Sequence, residues 1–156
     1  MFFEFQGTKG MRILVVITLL LAFPAVFAAD ALKSQAAPNG AKVYIVSPKD
    51  GDVVASPVTV IFGLKGMGIA PAGVERPNTG HHHLMINAPA IPPADQAIPA
   101  NEYYKHFGLG QTETEMELNP GKYTLQLLLG DNNHVPFNPP LLSEPITITV
   151  KAVEKK

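Results

Sequence analysis

Beyond residue 28, no stretch of twelve residues is free of both proline and glycine. Proline removes the N–H that a helix interior needs, and glycine loses the most backbone entropy on ordering. A chain punctuated this densely cannot make helices long enough to pack as a bundle. It can make short strands joined by turns, and its apolar residues fall accordingly. Val43–Val46 is a short apolar run closed by Ser47-Pro48-Lys49-Asp50-Gly51. Pro57–Leu64 puts Val58, Val60, Phe62 and Leu64 on one face, and Leu84–Ile86 is a third run. Gln111–Leu118 sets Thr112, Thr114, Met116 and Leu118 against Glu113, Glu115 and Glu117. After the turn Asn119-Pro120-Gly121-Lys122, Tyr123, Leu125, Leu127 and Leu129 share a face. Ile146, Ile148 and Val150 then alternate with Thr147 and Thr149. Alternation of period two marks strands with one buried face. The pattern predicts an all-β fold, an immunoglobulin-like antiparallel β-sandwich of about seven short strands with long Pro/Gly-rich loops.

Residues 11–29, MRILVVITLLLAFPAVFAA, read differently. Arg12 precedes an apolar run that ends at Pro24, followed by small residues suited to cleavage after Ala28. That is a secretory signal peptide, and its apolar run is short for a ~30 Å hydrocarbon core. The expected organisation is a signal over 1–28 (with Met11 an alternative start), a flexible lead-in over 29–40, the folded domain over 41–150 and a frayed tail over 151–156. The expected location is the periplasm or the exterior, with no membrane span once the signal is cleaved.

A formal net charge of −1 gives no basic surface for nucleic acid. The absence of cysteine removes disulfides, zinc ribbons, iron–sulfur clusters and thiol nucleophiles. No GxSxG or HExxH is present, and GLKGMG at 63–68 lacks phosphate-loop spacing. The Glu113, Glu115, Glu117 stripe reads as a solvated sheet face.

What chemistry remains lies in five histidines. His81, His82 and His83 enter the third strand, His106 precedes the fourth long run, and His134 sits in the loop 130–142. If successive strands alternate in direction, all five fall at the same end of the sandwich. On a strand, His81 and His83 project to one face with Cα atoms ~6.5 Å apart, a spacing that suits two ligands of one ion. His82 shares parity with Leu84 and Ile86 and points to the core. Neutral imidazoles bind copper, zinc, nickel or iron. The expected ligands of a copper or zinc ion are His81, His83, His106 and His134. His82, Asp131 and Glu113 are expected around them as orienting groups. Met67 and Met85 read as packing. A mature chain starting near Ala29 excludes a copper site built on an N-terminal histidine.

Three functions fit these residues. The first is non-catalytic binding of copper or zinc by the histidine cluster. The second is a metal-free interaction module of the cell envelope, whose rigid loops recognise a protein or glycan and whose histidines form a hydrogen-bond network. The third is a metal-dependent hydrolase with an open coordination position.

TGHHHL (79–84), HFGLGQTE (106–113), LNPGKYTLQLLLGD (118–131) and NHVPFNPPLLSEPITITV (133–150) stand in this order along the chain. With these motifs the chain resembles a group of small exported bacterial proteins that share a DUF4399-type domain of unknown function. The resemblance spans about Val43 to Val150 and takes in His81, His82, His83, His106 and His134. It implies a periplasmic sandwich-like domain and names no metal and no substrate.

Overall fold

The structure, a computed structural model, describes residues 32–152. The expected signal over 1–28, the start of the lead-in and the last four residues of the tail lie outside the described residues. The described residues form nine strands: β1 Lys42–Ser47, β2 Val53–Ala55, β3 Val58–Lys65, β4 Gly68–Ile69, β5 Thr79–Ile86, β6 Tyr104–His106, β7 Glu113–Met116, β8 Gly121–Gly130 and β9 Ile146–Lys151. Among the described residues there is no helix, and so none long and apolar enough to cross a membrane.

The strands form two sheets. One is three-stranded in the order β1-β3-β7. The other is six-stranded in the order β2-β9-β8-β5-β4, with β6 pairing β5 on the side opposite β8. The main ladders are antiparallel as expected, while β2–β9 and β4–β5 are short parallel pairs. The turn after β1 carries the chain from one sheet to the other. Thr147 N donates to Asp50 Oδ1 at 2.8 Å, and Gly51 N donates to Thr147 O at 2.8 Å. These bonds hook the turn onto β9, and β2 then forms the sheet edge.

Between the sheets, Val43, Val58, Val60 and Phe62 meet Leu84, Ile86, Leu125, Leu127, Ile148 and Val150. Each such buried side chain contributes roughly 1.5–3 kcal/mol before chain entropy is set against it. A second cluster sits on the far face of the six-stranded sheet. There Met85, Ile98, Tyr104 and Leu128 pack with Ala88 and Leu142. The loops 87–103 and 131–145 cover that face, so β5 is buried on both sides from Gly80 to Ile86. This double cover explains why β5 lacks the alternation seen in β3 and β9.

The lead-in residues 32–40 form no strand. Ser34 Oγ nevertheless donates to Pro136 O at 2.6 Å, and Asn138 N donates to Gln35 O at 2.8 Å. The segment therefore runs along the loop that carries His134.

Candidate metal centre

Strand β5 starts at Thr79, five residues before the apolar run that first marks it, so all three consecutive histidines lie within the sheet. Their side chains alternate. His82 pairs with Leu129 and faces the inter-sheet core, where its ring lies 5.1 Å from that of Phe62. His81 and His83 pair with Gly130 and Leu128 and face the outer, loop-covered side. His106 on β6 is the register partner of His83, which puts it on the same face one strand over.

His134 arrives from the loop after β8. Asp131 N donates to Val135 O at 2.9 Å and His134 N to Asp131 O at 3.0 Å. The Asp131 carboxylate accepts the N–H groups of Asn133 at 2.8 Å and Val135 at 2.9 Å. This tight loop sets His134 at φ 65°, in the left-handed region. Its carbonyl accepts Ile98 N at 2.8 Å, which ties the loop to the covering segment.

Four imidazoles from three chain segments thus converge. Ring centres are 4.9 Å apart for His81–His83, 5.0 Å for His81–His106, His81–His134 and His83–His106, and 4.7 Å for His106–His134. His83–His134 is wider at 6.2 Å. His81, His83 and His106 each offer a ring nitrogen within 4.8 Å of the other two. The Nε2 atoms of His81 and His83 lie 3.0 Å apart.

A family model described as "Domain of unknown function (DUF4399)" matches residues 60–151, the span that holds every histidine of the chain. The chain belongs to the DUF4399 family. No curated protein and no solved structure matches it. In this DUF4399 domain the match opens within β3 and closes at the end of β9, so the whole histidine cluster is internal to it.

Two glycines of the DUF4399 domain make room for the rings. A Cβ at Gly130 would stand 3.0 Å from His83 Nε2 and 3.2 Å from Ile98 Cδ1. A Cβ at Gly108 would overlap the Cε1 and Nε2 atoms of His106. His81 and His83 are 0% and 1% exposed, while His106 is exposed and His134 half-buried. The cluster therefore has a dry floor and a wet rim.

Burial disfavours the charged imidazolium, and the neighbouring histidines add repulsion. Together they lower His81 to about 4 and His83 to about 2. His106 is lowered too, by burial first and then by His134. His82 is lowered by burial against the opposing effect of its contact with the Gln111 carbonyl. At neutral pH the floor of the site is uncharged, which is the form that binds metal. Nδ1 of His81, Nδ1 of His83 and Nε2 of His82 are buried with no hydrogen-bond partner among the described residues.

The structure brings together His81, His83, His106 and His134, on the outer face of the six-stranded sheet where β5 begins and β8 ends. His82 does not join them, because strand alternation sends its ring to the opposite face. Asp131 is 2% exposed and spends Oδ1 on the backbone of its own loop, so it shapes the loop that presents His134. Glu113 departs from expectation. It is exposed on the three-stranded sheet, pairs with Ile61, and points away from the core that Phe62 enters. Met85 packs with Ile98, Tyr104 and Leu128, as the sequence suggested. Gly130 and Gly108 were missed as site residues. The one available signal was a glycine closing the leucine-rich run of β8.

Proposed function

We propose that this domain holds one divalent transition metal ion, copper or zinc, through His81, His83, His106 and His134, and that it handles the ion without catalysing a reaction on it. One observation carries the reading. A metal–nitrogen bond of about 2.0–2.1 Å puts an imidazole ring centre roughly 3 Å from the ion, so four rings around one tetrahedral ion sit about 5 Å apart. Five of the six ring-centre separations fall between 4.7 and 5.0 Å. The donor set supports the same reading, since four imidazoles with no thiolate suit zinc and copper(II). On the export-signal reading the domain works in the periplasm or outside the cell.

The 3.0 Å contact between His81 and His83 favours a competing, metal-free network. Nδ1 of both rings stays unpaired in that network, as it does when Nε2 holds a metal, so binding measurements and not hydrogen-bond accounting separate the two. Metal analysis and titration calorimetry on protein without an affinity tag separate the two readings. One equivalent of copper or zinc bound tighter than micromolar, and lost in a His81→Ala/His83→Ala variant, supports the metal site. Binding of both metals no tighter than micromolar overturns it.

A further inference from the structure

The four imidazoles differ in how they are anchored. His81 and His83 sit on β5 and His106 on β6, so each is fixed by a strand ladder. His134 sits on none. It belongs to the excursion 131–135, which leaves β8 after Gly130 and returns at Pro136, where an isolated bridge links Pro136 back to Gly130. The loop is held by its own turn bonds, by the Asp131 carboxylate and by Ile98 N. Its backbone at His134 is left-handed, a conformation that costs a non-glycine residue roughly 1 kcal/mol. Opening this loop breaks none of the β5–β8 ladder, whereas withdrawing any of the other three histidines disrupts a strand pair.

Distance separates His134 in the same way. The strand-borne three bring ring nitrogens within 4.8 Å of one another, and His134 is outside that group. The widest separation in the cluster, 6.2 Å, is the one between His134 and His83. His134 is half-buried and shares the wet rim with the more exposed His106, so a donor from outside can reach the position it fills.

We infer that His134 marks the exchange position of the site: the three strand-borne histidines keep the ion, and an external neutral nitrogen donor enters where His134 leaves. The inference rests on the metal reading above. It explains how a site with a buried floor takes up and passes on an ion without unfolding the sheet.

Copper(II) titration of His134→Gly, followed by electron paramagnetic resonance with imidazole as the external donor, tests it. Glycine suits the φ of 65° at this position. The variant is expected to keep one copper(II) per chain, with Kd raised less than in His106→Ala. Added imidazole is expected to restore the wild-type four-nitrogen signal. His106→Ala, at a more exposed position but one held by a strand, is expected to lose the ion more completely and to gain nothing from imidazole. His134→Asn, which also tolerates the left-handed backbone, is a second folded control, with thermal unfolding confirming each variant. Equal loss in His134→Gly and His106→Ala overturns the inference, as does a His134→Gly site that ignores imidazole. Wild-type protein that binds no copper overturns the metal reading itself, which is a separate result.

Discussion

His81 and His83, two residues apart on β5, hold their Nε2 atoms 3.0 Å apart on the buried floor of the site. One ring must donate a proton to the other for this contact to be attractive, because two bare nitrogens repel. Two imidazole nitrogens on one tetrahedral ion sit roughly 3.3 Å apart. A proton or a metal ion can therefore occupy the same space with little movement of β5.

Burial of that pair makes the metal-free fold sensitive to acid. In the unfolded chain both histidines take a proton near pH 6.5. In the fold His81 resists protonation down to about 4 and His83 further still. Above pH 6.5 neither state is protonated and the groups have no effect. Below it the unfolded chain binds protons that the fold refuses, so stability falls by up to about 1.4 kcal/mol per pH unit per group until the folded pKa is reached. Urea midpoints of metal-free protein are expected to drop between pH 6.5 and 4.5, with a shallower drop in His81→Ala/His83→Ala. Equal slopes contradict the burial account.

His82 is expected to be dispensable for metal. Its ring faces the core beside Phe62, with Nε2 buried and unpaired. His82→Leu removes a polar atom that burial penalises by about 1–3 kcal/mol. Thermal unfolding should show equal or higher stability, and calorimetry an unchanged metal stoichiometry. Loss of metal in this variant would place His82 among the ligands and break the face assignment.

Gly130 should behave as a packing partner of the site. Gly130→Ala brings a methyl group to 3.0 Å from His83 Nε2 and 3.2 Å from Ile98 Cδ1. Overpacking of this kind typically destabilises by about 1–3 kcal/mol. The expected result is a folded protein with at least tenfold weaker metal binding, read by calorimetry. Wild-type affinity would show that the His83 ring sits elsewhere in the bound state.

Asp131 acts through the backbone of the His134 loop. Asp131→Ala strands the buried N–H of Val135 and releases that of Asn133 to solvent, at about 1–3 kcal/mol. Asp131→Asn keeps an oxygen at the same place and should recover most of the loss. Chemical denaturation reads the stability. Hydrogen exchange at Val135 reads the loop, and faster exchange in the alanine variant alone is expected.

Much of this was legible in the residues. Alternation in 58–64, 123–129 and 146–150 marks strands with one buried face, and strand parity separates His82 from His81 and His83. It also brings His106 and His134 to the same end of the sheet. What parity does not reveal is the cover over the outer face. Ile98 and Tyr104 belong to segments with no period, so the dry floor under His81 and His83 has no signature. β5 is buried on both sides, and three polar letters at its start disguise a strand that begins at Thr79. Glu113 is near Gln111 in sequence, and Gln111 does touch His82. The alternation that identifies β7 also turns Glu113 outward, and that consequence outweighs its proximity.

The central claim is that four imidazoles share one ion. Copper(II) electron paramagnetic resonance on protein loaded with one equivalent, with histidines labelled in turn by substitution, counts the donors directly. The account predicts one bound copper(II) per chain with nitrogen coupling from His81, His83, His106 and His134, and no change on replacing His82. A signal with fewer than four imidazole nitrogens, or one unaltered by removing His81 and His83 together, would contradict it.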